Sequence, residues 1–353
     1  MNYFFKKKIK NLPAFFLFLF FLVFVFLYFL FLESEKLTNE VNQIFSSQIS
    51  GSYFSKEKAN QIVLFFVGDI MLDRGVEYMI EKYGESDYKF PFLKIADYLK
   101  KADVLFGNLE GPISDKGAKV GSIYSFRHQI KAIEGLVFAG FDILSVANNH
   151  VFDYGREAME DNFLRLRGAG IDYLGGGFNK NQAHSAVIKN IKGIKIAYLG
   201  YNNLGSPFWS AAENKSGIAW LEKEQLKEDI AKAKAEADLV IISFHFGQEY
   251  QTFPSAEQKF FAQLAIDYGA DLVVGHHPHV VQPIEKYQSG YIAYSLGNFI
   301  FDQGFSKETM RGIILKVIIK GKEIKEVIPV DFEMNQYFQP EKISRTFDKF
   351  FNL

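Results

Sequence analysis

The chain carries five short polar clusters, and each directly follows an apolar run that is typical of a buried strand. In chain order they are Gly68-Asp69, Asn108-Leu109-Glu110, Asn148-Asn149-His150, His245, and Gly275-His276-His277-Pro278-His279. The carboxyl ends of parallel strands meet at one edge of an α/β sheet, which is where such sheets bind ligands. We therefore expect these carboxylate, amide and imidazole groups to converge on a single site.

The order of the segments predicts an α/β fold. From Gln61 onward, strand-like and helix-like stretches alternate, with helices expected over Phe92–Lys101 and Arg156–Gly168. Glycines at 168 and 170 are typical of the end of a helix. Hairpins are predicted around Lys192-Gly193, Gln288-Ser289-Gly290 and Gly321. Together these features predict an α/β sandwich of two packed mixed sheets.

The N-terminal segment predicts a membrane anchor. Residues 12–32 carry no charge, and as a helix they would span about 31 Å at about 1.5 Å per residue, enough to cross a bilayer core. Lysines precede this stretch, whereas Glu33 and Glu35 follow it. The positive-inside rule then places residues 1–11 in the cytoplasm and the rest outside, as a single-pass protein of the cell membrane. The alternative is a signal peptide that is removed.

The remainder divides into a polar juxtamembrane spacer over residues 33–60, with a short helix over Glu35–Phe45, a domain over 61–334 and a surface tail over 335–353. The net charge of −1 gives no basic field, so nucleic acid is not an expected partner. The chain has no cysteine, so a metal would be held by His, Asp, Glu and Asn side chains.

Two of the clusters place carboxylates at strand ends. Asp69 is suited to face a ligand above the sheet, because Gly68 permits a tight exit from the strand; the alternative is a cap on the following helix. Asn108 and Glu110 point to the same side of an extended segment, and a carboxylate there could bridge two cations. For that segment, the alternative is ordinary loop polarity.

The other clusters supply an amide ligand, histidine ligands and a proton donor. Asn149 offers an amide oxygen to a cation, while His150 could give a proton to a leaving group, with Asp153 fixing its tautomer. His245 ends a wholly apolar strand and is either a ligand or a core histidine. Three of the seven histidines, His276, His277 and His279, lie within four positions, which favours metal or phosphate binding. Their spacing leaves open which two would ligate.

Other polar residues predict substrate contacts. Arg74 and Arg127 could hold an anionic substrate bidentately, since guanidinium matches carboxylate and phosphate geometry. Asn298, in Gly297-Asn298, is a further candidate for substrate binding.

The clusters, with Asp153-Tyr154-Gly155 and Ser295-Leu296-Gly297-Asn298-Phe299, resemble those of the CapA family of poly-γ-glutamate capsule synthesis proteins, within the calcineurin-like metallophosphoesterase superfamily. The resemblance covers about residues 61–332. It implies a four-layer αββα sandwich with a site for one or two divalent ions, such as manganese, zinc or iron. It implies as metal ligands Asp69, Glu110, Asn149, His245, His277 and His279, with His150 as the acid. One departure is Met71, where the superfamily typically has a histidine.

The resemblance also implies a membrane-anchored role in making, exporting or anchoring an anionic polymer, with membrane synthase subunits as partners. One hypothesis is therefore a metal-dependent hydrolase or transferase. The other is a non-catalytic subunit that binds the polymer or a synthase.

Overall fold

A computed structural model describes residues 20–38, 61–343 and 351–352, and the chain divides into two compact units, Met1–Asn60 and Gln61–Leu353. In the first unit, residues 20–38 form helix α1. Across the described ranges, no helix is both long and apolar enough to cross a membrane. Residues 12–19 of the predicted anchor and residues 39–60 of the predicted spacer lie outside the described residues.

The second unit contains the predicted alternation of strands and helices. Its strands, in chain order, are β1 (Gln61–Ile70), β2 (Val104–Leu109), β3 (Ile143–Ser145), β4 (Asp172–Leu174), β5 (Gly176–Gly177), β6 (Val187–Ile191), β7 (Ile194–Asn202), β8 (Gly217–Ile218), β9 (Leu239–His245), β10 (Leu272–His276), β11 (Ile284–Tyr287), β12 (Gly290–Ala293), β13 (Asn298–Ile300), β14 (Arg311–Lys320), β15 (Glu323–Met334), β16 (Pro340–Lys342) and β17 (Phe351–Asn352). Its α-helices are α2 (Arg74–Tyr83), α3 (Ala96–Leu99), α4 (Ala132–Ala139), α5 (Gly155–Gly168), α6 (Lys180–Ala183), α7 (Lys223–Glu236) and α8 (Ala256–Asp267). Two 3₁₀ turns lie at Phe90–Phe92 and Pro207–Trp209.

Two large mixed sheets are built from these strands. The first has the order β16-β15-β14-β1-β2-β3-β4, with β13 also paired to β1, and its centre β1-β2-β3-β4 is parallel. The second has the order β17-β11-β12-β10-β9-β7-β6, and its centre β12-β10-β9-β7 is parallel. The predicted hairpins are β6-β7, β11-β12 and β14-β15. The prediction of two mixed sheets is therefore confirmed.

Side chains that alternate along each strand explain how the sheets pack. In β1, Leu64 and Phe66 join a core shared with strands of the second sheet, whereas Phe65 and Val67 face α2, α4 and α5. A third core, within residues 61–343, lies between β9, β10 and the helices α7 and α8. Because the two-residue period of a strand sends neighbours to opposite faces, both faces of the parallel strands are buried. The layers run helices, sheet, sheet, helices.

Two segments differ from the sequence prediction. The helix expected over Phe92–Lys101 is split into the 3₁₀ turn and α3, joined by tight turns in which Ile95 N–H donates to Phe92 O. The tighter winding keeps Phe92, Ile95 and Leu99 buried on one side. In the segment predicted to be a surface tail, β16 pairs with β15, and Gln339 is buried where its amide donates to Phe90 O.

Candidate metal centre

Both sheets contribute strand ends to one buried polar site. Asp69 lies in the last part of β1 and Asn108 in β2, while His245 is the last residue of β9 and His276 the last of β10. All four are essentially inaccessible to solvent. The amide Nδ2 of Asn108 donates to Asp69 Oδ1 at 2.8 Å and lies 3.3 Å from His245 Nδ1, so one side chain connects the ends of the two sheets. The convergence expected from the strand order is present.

Gly68 is required for a different reason than the sequence indicated. Its φ angle is not positive, so it does not supply an unusual backbone turn. Instead, a Cβ on Gly68 would lie 1.7 Å from the carbonyl oxygen of Gly297. The neighbouring amide of Asp69 donates to that same carbonyl at 3.1 Å. The glycine therefore allows two backbone segments to approach closely enough to fix the position of Asp69.

The histidine segment after β10 adopts an unusual backbone. His277 and His279 have φ angles of 94° and 59°, a region that non-glycine residues rarely occupy. The amide of His277 donates to Asp69 Oδ2 at 3.2 Å. Such conformations cost free energy and persist where the surroundings hold them in place, as they do at many functional sites. Here the backbone brings the His279 imidazole to Asp69 and Glu110, and the His277 imidazole to His245 and Glu249.

Asn298 fixes the tautomer of His279. Its amide Nδ2 donates to Gln303 Oε1 and to Thr309 O, each at 3.0 Å, which orients the amide. The amide oxygen Oδ1 therefore faces His279 and accepts from Nδ1–H at 2.9 Å. When His279 is neutral, this arrangement directs the lone pair of Nε2 to the site, as in many metal-ligating histidines.

Burial shifts the protonation of the ligand set. It raises the pKa of Glu110 well above the usual range and lowers the pKa of His276 to about 4 and of His277 to about 3. Burial would also lower the pKa of His279, but the carboxylates of Glu110 and Asp69 raise it to about 9. Neutral imidazoles can ligate directly, whereas His279 would have to lose a proton on binding a cation.

The arrangement fits a divalent cation. Among the described residues, neither oxygen of Glu110, neither ring nitrogen of His276 and not the Nδ1 of His277 has a hydrogen-bond partner. Two ligand atoms bound to one ion at about 2.1 Å lie about 3.0 to 3.4 Å apart. The observed separations are 2.7 Å for His245 Nε2 and Asn149 Oδ1, and 3.7 Å for His279 Nε2 and Glu110 Oε1. Small shifts would allow the two atoms of each pair to bind the same ion.

Candidate ligands form two groups that meet at His279. Asp69, Glu110 and His279 form one, and Glu249, His277 and His279 form the other, with the ligand atoms of each group within 4.8 Å of one another. His276 is in neither group, although its Nδ1 lies 3.6 Å from Asp69 Oδ1. The mixture of carboxylate and imidazole ligands suits manganese, zinc or iron.

His150 and Asp153 lie together beside this ligand set. His150 Nδ1 donates to Asp153 Oδ2 at 2.7 Å, and the same oxygen accepts from the amide of Phe126 at 2.8 Å. His150 Nε2 then faces the site, 3.7 Å from Glu110 Oε1. The ring of Phe126 packs on the imidazole, with centroids 4.0 Å apart. The pair therefore has the geometry of a positioned proton donor or acceptor.

The predicted substrate-binding residues already have partners within the chain. Arg74 forms an ion pair with Asp302, and its guanidinium lies over the ring of Phe126, 4.8 Å from the centroid. The guanidinium of Arg127 lies 4.1 Å from the ring centroid of Tyr154, and one of its nitrogens donates to Lys116 O. Asn298 contacts His279, as described above.

Three further residues belong to the site. Glu249 follows β9 and was missed, although it lies only four positions after His245, in the same kind of polar segment that marked the other strand ends. Asn148 Nδ2 donates to Leu109 O at 2.7 Å. His128 Nδ1 accepts from Leu72 N–H, and its Nε2 donates to Glu110 O, each at 3.1 Å, so His128 holds the backbone beside Glu110.

Comparisons with known proteins find a family model, relatives and solved structures that are similar to this chain. A protein-family model described as bacterial capsule synthesis protein PGA_cap matches residues 63–303. Capsule biosynthesis protein CapA of Bacillus anthracis is 33% identical over 308 residues, which cover 83% of this chain and 72% of that protein. PGA biosynthesis protein CapA of Bacillus subtilis is 33% identical over 276 residues, which cover 75% of this chain and 70% of that protein. A solved phosphatase from Mycoplasma pneumoniae is 16% identical with a TM-score of 0.49, covering 79% of this chain and 96% of that one.

Proposed function

The chain belongs to the bacterial capsule synthesis protein family PGA_cap, and we propose that it acts in the synthesis, export or anchoring of poly-γ-glutamate or a related anionic capsule polymer. The observation that carries this proposal is the match over residues 63–303, which includes every predicted metal ligand. Two relatives that are each 33% identical are named as capsule or PGA biosynthesis proteins, which supports the same role.

We further propose that the fold is of the metallophosphoesterase type and that its site binds one or two divalent cations, with manganese, zinc and iron as candidates. The residues that would hold them are Asp69, Glu110, Asn149, His245, His277 and His279. Their burial, the lowered pKa values of His245 and His277, and the unpartnered oxygens of Glu110 support this assignment. A bound cation would act as a Lewis acid towards a phosphoryl or carbonyl oxygen.

The remaining residues of the site would move and position a proton. Asp153 holds the Nδ1 proton of His150, so Nε2 is the atom that would exchange a proton with a leaving group. The packing of Phe126 on the imidazole restricts its rotation and keeps Nε2 directed to the site. In this proposal the protein is a metal-dependent hydrolase or transferase.

We propose that residues 12–32 anchor the protein in the cell membrane, with the second unit outside the cytoplasm and beside membrane synthase subunits. The support is the uncharged composition of this segment and the lysines before it. To test the orientation, a reporter enzyme is fused to the C-terminus. The reporter is one that is active only outside the cytoplasm. An inactive fusion at normal abundance would contradict it.

A non-catalytic role has one specific observation in its favour. Met71, at the position where the resemblance leads us to expect a histidine, is fully buried and packs in the core beside α2. A site with fewer ligands could bind a metal for structure alone, while the domain binds the polymer or a synthase.

The test combines cation content with polymer production. In the host bacterium, the gene is replaced by a His277→Ala/His279→Ala variant, with Glu257→Ala, at an exposed position on α8, as a control. Loss of both the bound metal and the polymer, in a variant that stays folded and at normal abundance, would support a metal-dependent role. Loss of the metal with normal polymer would favour the non-catalytic role, and normal polymer after complete deletion of the gene would refute the proposed function.

A further inference from the structure

We propose that Glu249 is a ligand of an outer divalent cation, which it binds together with His277. The inference rests on the proposed metal site and adds to it a residue that the strand-end pattern did not provide. One carboxylate oxygen of Glu249 and one ring nitrogen each of His277 and His279 lie within 4.8 Å of one another. Glu249 is solvent-exposed, whereas His277 is 7% exposed. An accessible carboxylate therefore lies over a buried imidazole.

The unsatisfied imidazole is the second observation that points to a ligand. Within residues 61–343, Nδ1 of His277 is buried without a hydrogen-bond partner. An imidazole nitrogen in this state loses its hydrogen bond to water without replacement, which is unfavourable unless something else occupies it. A cation bound between Glu249 and His277 would give the carboxylate, and the ring nitrogen that lies near it, a shared partner.

The loop that carries Glu249 is held in place from its N-terminal side. Gly247 has a φ angle of 96°, and a Cβ there would lie 2.4 Å from the side-chain amide carbon of Gln258. The backbone of the loop is thus pressed against α8. Gln258 is itself fixed, because its side chain accepts from Ser255 N–H and donates to Gln282.

The loop is also fixed on its C-terminal side. The amide of Tyr250 donates to Pro278 O at 2.8 Å, within the histidine segment itself. The buried amide of Gln282 donates to Gln251 O at 2.8 Å and to Phe253 O at 3.2 Å. Tyr250 has a positive φ of 62°, a strained conformation for a non-glycine residue that the surrounding contacts must hold in place. Glu249 therefore sits between two fixed points, as a preorganised ligand would.

The tautomer of His279 separates an inner from an outer cation position. Because His279 Nδ1 donates to Asn298, only Nε2 is free, and a single nitrogen serves one cation. Asp69 and Glu110 lie on the fully buried side, whereas His245 and His277 pack with ring centroids 5.0 Å apart, and Asn149 contacts His245. The outer position would thus take Glu249 and His277, with Asn149 and His245 nearby.

The experiment is a titration of the full-length, metal-free protein in detergent with Mn²⁺, followed by calorimetry and by metal analysis after dialysis. We compare the wild type with Glu249→Gln, which keeps the size of the side chain and removes its charge. Glu257→Gln is the matched control, since Glu257 is also exposed and lies in neither candidate ligand group. We expect Glu249→Gln to lose one bound Mn²⁺ per chain, or to weaken the lower-affinity binding at least tenfold.

Three outcomes separate this inference from the proposed function. Loss or weakening in Glu249→Gln alone, with an unchanged melting temperature in EDTA, supports the outer ligand. If Glu249→Gln binds Mn²⁺ with the same stoichiometry and affinity as the wild type, this inference is overturned and the rest of the metal site stands. A wild-type protein that binds no Mn²⁺ overturns the inference and the metal site together.

Discussion

Replacing Gly68 by alanine tests whether the site depends on close contact between two backbone segments. The added Cβ would lie 1.7 Å from Gly297 O, whereas such contacts are normally about 3.4 Å, so the segments would have to separate by more than about 1 Å. The hydrogen bond from Asp69 N–H to Gly297 O would then be lost. Asp69 would be displaced with it.

The expected loss of stability follows from these two effects. Forcing extra volume into a packed interior costs about 1–3 kcal/mol, and a lost backbone hydrogen bond about 1 kcal/mol. We therefore expect Gly68→Ala to lower the free energy of unfolding by about 2–4 kcal/mol. For a domain of this size, with about 2 °C per kcal/mol, the melting temperature would fall by roughly 4–8 °C.

The assay is urea and thermal unfolding followed by circular dichroism, in the presence of EDTA so that metal binding does not contribute. Gly168→Ala is the control, because a Cβ at the end of α5 meets nothing within 4 Å among the described residues. It should be neutral or stabilising by up to about 1 kcal/mol. A Gly68→Ala protein within 1 kcal/mol of the wild type would refute the close-approach argument.

Three other predictions concern neighbouring residues. Asn148→Ala leaves the buried carbonyl of Leu109 without its donor, so urea unfolding should show a loss of about 1–3 kcal/mol. Asn298→Leu removes the acceptor for Nδ1 of His279, and the Kd for Mn²⁺ should rise about 10- to 100-fold in calorimetry. Burial lowers the pKa of His128 to about 4, below about 6.5 in the unfolded chain. The unfolded state therefore binds the proton first, and the free energy of unfolding should fall from about pH 6.5 towards pH 4, less steeply in His128→Gln. An equal pH dependence in the two proteins would contradict this.

Much of the site was predictable because strand ends leave a clear trace in the sequence. A buried parallel strand is a continuous apolar run, so the polar residue that follows it stands out, as Asp69 and His245 do. Parallel pairing then brings such residues to one edge, and the register aligns Asp69 with Asn108 and His245 with His276. Local pattern and general topology were sufficient for these positions.

What the sequence did not reveal depends on contacts between distant segments. Glu249 is an ordinary exposed glutamate until the loop is fixed against Pro278 and Gln282. The partner of Arg74 is Asp302, which lies 228 positions away, so the arginine looked free for a substrate. Nor could local propensity predict the positive φ angles of His277 and His279, because they are imposed by the surrounding fold.

The sharing of the site between two sheets has a consequence for folding kinetics. The amide of His277 meets Asp69 across 208 positions of sequence, and Asn108 meets His245 across 137. Such distant contacts make folding slow, because much of the chain must be ordered before they can form. If they form after the transition state, a bound cation would slow unfolding and leave the folding rate nearly unchanged. It would then determine how long the folded protein lasts and have little effect on how quickly it forms.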